Sequence, residues 1–146
     1  MKCSFPVLTG LILLGLTASQ QGTAGDAKSE LEGTWDVVYL EREGKYLKPQ
    51  PNTRTINTGD KFVVKVGDKV IAAGTATLDP SKKPKAVDVT YTEGPDKGKS
   101  FKGIYQVEGD TAKFCRPVAP DQERPTEFDT SPEKGGFMIV YKRAKR

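Results

Sequence analysis

The feature that most limits what this chain can fold into is a period-two alternation of apolar side chains that recurs between clusters of Gly, Pro and Asp. "GTWDVVYLER" sets Trp35, Val37 and Tyr39 against Asp36, Val38 and Leu40. "KFVVKV" puts Phe62, Val64 and Val66 on one side, and "AVDVTYTEG" opposes Val87, Val89 and Tyr91 to Asp88, Thr90 and Thr92. With "RTINT", "KVIAAGTATLD", "SFKGIYQVEG", "TAKFCRPV" and "GFMIVYKR" the reading gives eight strands, recurring at roughly the 8–12-residue spacing of all-β sandwiches and barrels. Helical periodicity is confined to a turn or two at Ala27 to Leu31 and around Tyr46.

Gly59-Asp60, Gly67-Asp68 and Gly109-Asp110 each separate two of these runs, and Gly-Asp makes two-residue hairpin turns. Hairpins pair each strand with its sequence neighbour. The expected fold is therefore an all-β, eight-stranded antiparallel up-and-down barrel, because closure removes the exposed edges of a meander.

A broad side chain is needed to close the bottom of so small a barrel, and Trp35, the single tryptophan, stands on the first strand. Gly33 leaves room for the backbone to bend beneath it. Arg143, which continues the Phe137, Ile139, Tyr141 face of the last strand, is expected to lie across the indole.

Residues 1–24 read as a secretory signal peptide: Lys2, an apolar stretch from Phe5 to Ala18, and a small-residue cleavage site at Gly22-Thr23-Ala24. The stretch is too short and too broken by Gly and Thr to span a bilayer comfortably, so no transmembrane helix is expected once it is removed. Cys3 precedes the apolar run, so no lipobox and no lipid anchor follow. The domain then covers residues 25–146 and is expected to be secreted or periplasmic. Its lone cysteine, Cys115, excludes an internal disulfide and reads as a small strand hydrophobe, the alternative being a thiol that pairs with another chain or reacts. Loss of Lys2 leaves 22 basic residues against 19 acidic, a net charge of +3. Basic residues gather only at "SKKPK" and "YKRAKR", not in the dense basic stripe with stacking aromatics expected of a nucleic-acid binder.

The stretches "LEGTWDVV", "GDKFVVKV", "GTATLDPSKKPKAVDVTYTEGPDKGKSFKGIYQVEGDTAKFC" and "ERPTEF", with Gly33-Thr34-Trp35 on the first strand and a basic residue on the last, resemble the lipocalin/calycin arrangement. Over nearly all of residues 25–146 they look most like a secreted lipocalin-like domain family of unknown function that is expanded in planctomycetes. The resemblance implies a fold and a secreted location, and no established activity. Where that family tends to carry an apolar residue before its "TGDK" turn, this chain has Asn57.

The chain has no histidine, which removes Ser-His-Asp and Cys-His catalysis and His-based zinc sites. Most of its acids sit at turns or alternate outward, as Asp36 and Asp88 do. No enzyme, metal or cofactor is expected. Small residues in mid-strand, Ala72, Gly74 and Ala76, leave space opposite Trp35, Val37, Tyr39, Val89 and Tyr91 if they face inward, and these eight residues form the expected site for a small apolar or amphipathic ligand. The same small residues equally suit close packing of a bulky neighbour. The long connection Arg116 to Gly136 adds Arg124, placed to meet a ligand carboxylate or Glu123, Glu127 or Asp129, and Phe128 as an anchor at the barrel edge. The expected molecule is a noncatalytic, monomeric binding protein. The alternative is a protein-interaction or envelope-structural module with a filled barrel, acting through its outer loops.

Overall fold

The alternating segments pair as the hairpins require. The computed structural model describes residues 24–145; the signal-peptide reading of residues 1–24, apart from Ala24, and the reading of Cys3 lie outside them. A short helix α1 (Ala24–Leu31) leads into β1 (Gly33–Arg42), β2 (Lys45–Leu47), β3 (Thr53–Thr58), β4 (Lys61–Val66) and β5 (Lys69–Asp79). Then follow β6 (Lys85–Glu93), β7 (Ser100–Glu108), β8 (Thr111–Pro117) and β9 (Gly136–Arg143). All pairings are antiparallel, in the order β1-β3-β4-β5-β6-β7-β8-β9, and β1 also pairs with β9. The result is a closed eight-stranded up-and-down barrel, as the hairpin pattern predicts.

The ninth strand corrects the expectation of a helical turn around Tyr46. β1 outruns β3, pairing with it only from Gly33 to Asp36, and Leu40 to Arg42 are met instead by β2. Asn57 does not interrupt β3: its side-chain amide donates to the Leu31 carbonyl at 2.9 Å, so a polar residue facing the interior has a partner there.

The floor forms as the first strand suggested. Trp35 is 1% exposed. It pairs with Arg143, whose guanidinium lies 4.3 Å from the indole centroid, a contact of about 0.5–2 kcal/mol. The last carbonyls of a helix lack intrahelical partners, and here the floor side chains supply them. Trp35 Nε1 donates to Leu31 O at 2.9 Å, and Arg143 donates to Glu30 O and Glu32 O at 2.9 and 3.1 Å. The cation also opposes the negative end of the helix dipole. Gly33 takes φ +104°, which L side chains rarely adopt, where the chain turns from the helix into β1. Ala27 is thereby held in the core beside Leu78, Val87, Val89 and Tyr105.

A second apolar layer lies outside the wall. One outward row crosses β1, β9, β8, β7 and β6 as Glu41, Met138, Cys115, Ile104 and Ala86, and its last three members are buried. The connection from β8 to β9 is held against the barrel wall. Arg124 donates to the Val87 and Gly103 carbonyls at 3.1 and 2.7 Å and to Asp88 at 2.6 Å, and the buried Thr130 hydroxyl donates to Glu41. Phe128 is half-buried with Lys113 over its ring at 5.1 Å.

Replacing Trp35 with Ala removes the floor and its bond to α1. Urea unfolding is expected to show a loss of about 3–5 kcal/mol; an unmoved midpoint would contradict this account of the closure.

Candidate functional site

Inside the barrel lies a cavity of about 320 Å³, reaching from Lys28, Leu31 and the β3–β4 turn at the floor to Ile71, Asp96 and Phe137 at the other end. That volume is at the lower end of small-molecule sites. Its walls are Val37, Leu40, Val64, Ala72, Ala76, Val89 and Ile139, with aromatic rings from Trp35, Phe62, Tyr91, Tyr105, Phe114 and Tyr141. Six of the residues expected from the sequence thus come together around it: Trp35, Val37, Ala72, Ala76, Val89 and Tyr91.

Three do not. The pairing of β1 with β9 slips between Val37 and Tyr39, a β-bulge that moves every later side chain to the opposite face. Leu40 therefore lines the cavity, while Tyr39 stands outside with its ring 5.3 Å from that of Tyr46 and its hydroxyl on Glu41. Gly74 opens no space, because a Cβ there would come within 2.1 Å of the Thr90 carbonyl oxygen and 2.8 Å of the Phe62 ring, both packed close against it. Close packing of a bulky neighbour is the correct reading at that position. Arg124 is outside the wall, engaged with Asp88 and two strand carbonyls, and meets neither the cavity nor Glu123, Glu127 or Asp129.

Two groups of side chains, one in the lining and one behind it, escaped the sequence reading. On β3, Thr53, Thr55 and Asn57 bring polar atoms to the lining. On β8, Arg116 is 7% exposed. Its guanidinium carbon lies 3.8 Å from the Phe101 ring centroid, 5.1 Å from that of Phe137 and 5.7 Å from that of Tyr91. One nitrogen donates to Pro117 O at 2.8 Å, another meets Asp96 at 3.4 Å, and Nε has no partner among the described residues. The period of two that places Ala112 and Phe114 inward also places Arg116 inward.

Burial holds three tyrosines of the cavity wall, and the Cys115 thiol outside it, in their neutral forms. Burial, helped by Glu30 and Asp79, pushes the Tyr105 hydroxyl up to about 12, and burial also raises Tyr91 and Tyr141. Burial, with Asp129 and Glu41 nearby, pushes the Cys115 thiol up to about 11. A thiol so placed is a poor nucleophile at neutral pH. Among the described residues, no group of three or more His, Cys, Asp or Glu side chains is arranged to hold a metal ion, and no helix is long and apolar enough to cross a membrane.

The fold and site define an antiparallel β-barrel of lipocalin-like type with an apolar interior cavity. No family model, curated protein or solved structure matches the chain.

Because the folded protein binds the Cys115 and Tyr105 protons more tightly than the unfolded chain, their stabilisation is complete below about pH 9 and is lost as pH rises through about 11 and 12. Urea midpoints measured from pH 7 upward are expected to fall beginning near pH 9, and Cys115→Ala is expected to delay the onset toward pH 10, where unfolded tyrosine ionises. Equal midpoints at pH 8 and pH 11 would contradict it.

Proposed function

We propose that this chain is a secreted or periplasmic, noncatalytic binding protein that holds one small apolar or amphipathic molecule inside its barrel. The observation that carries this reading is the cavity of about 320 Å³ between Trp35 at the floor and Phe137 near the other end. Apolar walls with a few polar atoms favour burial of hydrocarbon, while the polar atoms orient it. The alternative, a solid barrel acting only through its outer loops, has less support, since the volume is open and the β8–β9 connection is occupied in covering the wall.

Trp35 lines the cavity and is the only tryptophan, so its fluorescence reports on occupancy. Native mass spectrometry of residues 25–146 is expected to reveal a co-purified small molecule or a clean apo mass. Titration of the apo protein with fatty acids, isoprenoids and aromatics is expected to give a saturable one-to-one response for at least one class. Ala76→Phe fills the cavity and is expected to weaken that binding about tenfold or more, the scale of losing one to three kcal/mol of apolar contact. A bare mass with no saturable response across the panel would overturn the proposal.

A further inference from the structure

An arginine inside a barrel is expensive to keep. Removing its charge from water is costly unless close partners replace the hydration, and Arg116 is incompletely supplied. Asp96, its one carboxylate among the described residues, stands at 3.4 Å and is shared with Lys99 at 3.6 Å, while Arg116 Nε is buried with no acceptor among them. Three aromatic faces surround the guanidinium. They favour a cation but accept no conventional hydrogen bond. The positive charge next to the cavity is therefore only partly neutralised.

Two phenols of the cavity wall lie within the electrostatic surroundings of that charge. Tyr91, Tyr141 and Thr55 all line the cavity, and the Arg116 guanidinium lies 5.7 Å from the Tyr91 ring centroid. Arg116 can only donate, so a Tyr91 oxygen that accepts from it turns its own proton toward the cavity. Both phenols remain protonated well above neutral pH. The pair then offers neutral donors backed by a cation, in a wall that is otherwise mostly hydrocarbon.

We infer that the cavity selects amphiphiles bearing a carboxylate, with the carboxylate received by the Tyr91 and Tyr141 hydroxyls and the apolar part directed toward Ala76, Leu78 and Trp35. Tyr91 and Tyr141 are the contacting groups. Arg116 is a positioning residue that orients Tyr91 and supplies the compensating charge from behind it. Asp96, also at the cavity, is kept from repelling the ligand by its two cations. This assignment rests on the binding reading above and adds the chemical class of the ligand.

The test compares decanoate with methyl decanoate, which keeps the chain and removes the charge, using calorimetry and Trp35 fluorescence at pH 7.5. Decanoate is expected to bind the native protein about tenfold more tightly, the scale of a charge-assisted hydrogen bond. Tyr141→Phe and Tyr91→Phe retain the rings and are expected to shrink the ratio severalfold, lowering decanoate affinity more than that of methyl decanoate, whose ester carbonyl is the weaker acceptor. Arg116→Gln is expected to lower the ratio as well, with Arg116→Lys restoring part of it. A general structural defect would instead weaken both ligands together. Equal affinity for the two ligands, or an undiminished ratio in both tyrosine variants, would overturn this assignment and leave the binding reading standing. Failure of both ligands to bind the native protein would overturn this assignment, and the wider panel would then decide the binding reading separately.

Discussion

The arrangement on which the rest of this barrel depends is the meeting of Trp35, Arg143 and the last carbonyls of α1. A meander closes only if its first and last strands pair, and these two residues are partners in that closing register. The same pair satisfies backbone groups at the helix end, so sheet closure and floor formation are one event. Without the helix carbonyls, the indole N–H would be buried without an acceptor. Without the arginine, the helix end would face a polar deficit and the indole would lose its cation. Each part makes the others affordable in free energy.

Such a closure has a consequence for the interior. With the floor occupied by one flat ring and a helix, the side chains above it need not fill the barrel to exclude water from below. Small residues at Ala72 and Ala76 then leave real volume, whereas Gly74 is claimed by Phe62. The distinction between these neighbours decides whether a barrel is a container or a solid. It depends on which rings cross the interior.

Strand order, closure, floor tryptophan and the Arg143 contact were legible in the sequence because each follows from alternation and short turns, which are local. What was not legible involved breaks in alternation or long-range partners. The bulge after Val37 exchanges Tyr39 for Leu40, and nothing in "WDVVYLE" marks it, since Val38 is as apolar as its neighbours. Arg124 was read as a candidate for acids close in sequence, but it reaches Asp88 and two carbonyls on β6 and β7. Asn57 looked like an interruption because its acceptor belongs to the helix end. Arg116 was overlooked for a different reason: it was read as the start of the long connection to Gly136, whereas β8 runs on to Pro117 and keeps its period there. The resemblance to a lipocalin-like domain agreed with the architecture and had no bearing on these particulars.

The outer cover over β6 to β9 also makes the molecule mechanically uneven. Strands there are packed on both faces, with Ile104 and Cys115 fully enclosed outside the wall and Arg124 and Thr130 fastening the connection. β4 and β5 have no such backing: β4 has no fully buried residue, and Val70 and Ile71 are exposed near the start of β5. Segments with few buried contacts open at lower free energy than those within a packed core. One half of the barrel is accordingly double-walled and the other a single wall, so local opening of the barrel is expected to begin at β4 and β5, like a door hung on the rigid wall opposite.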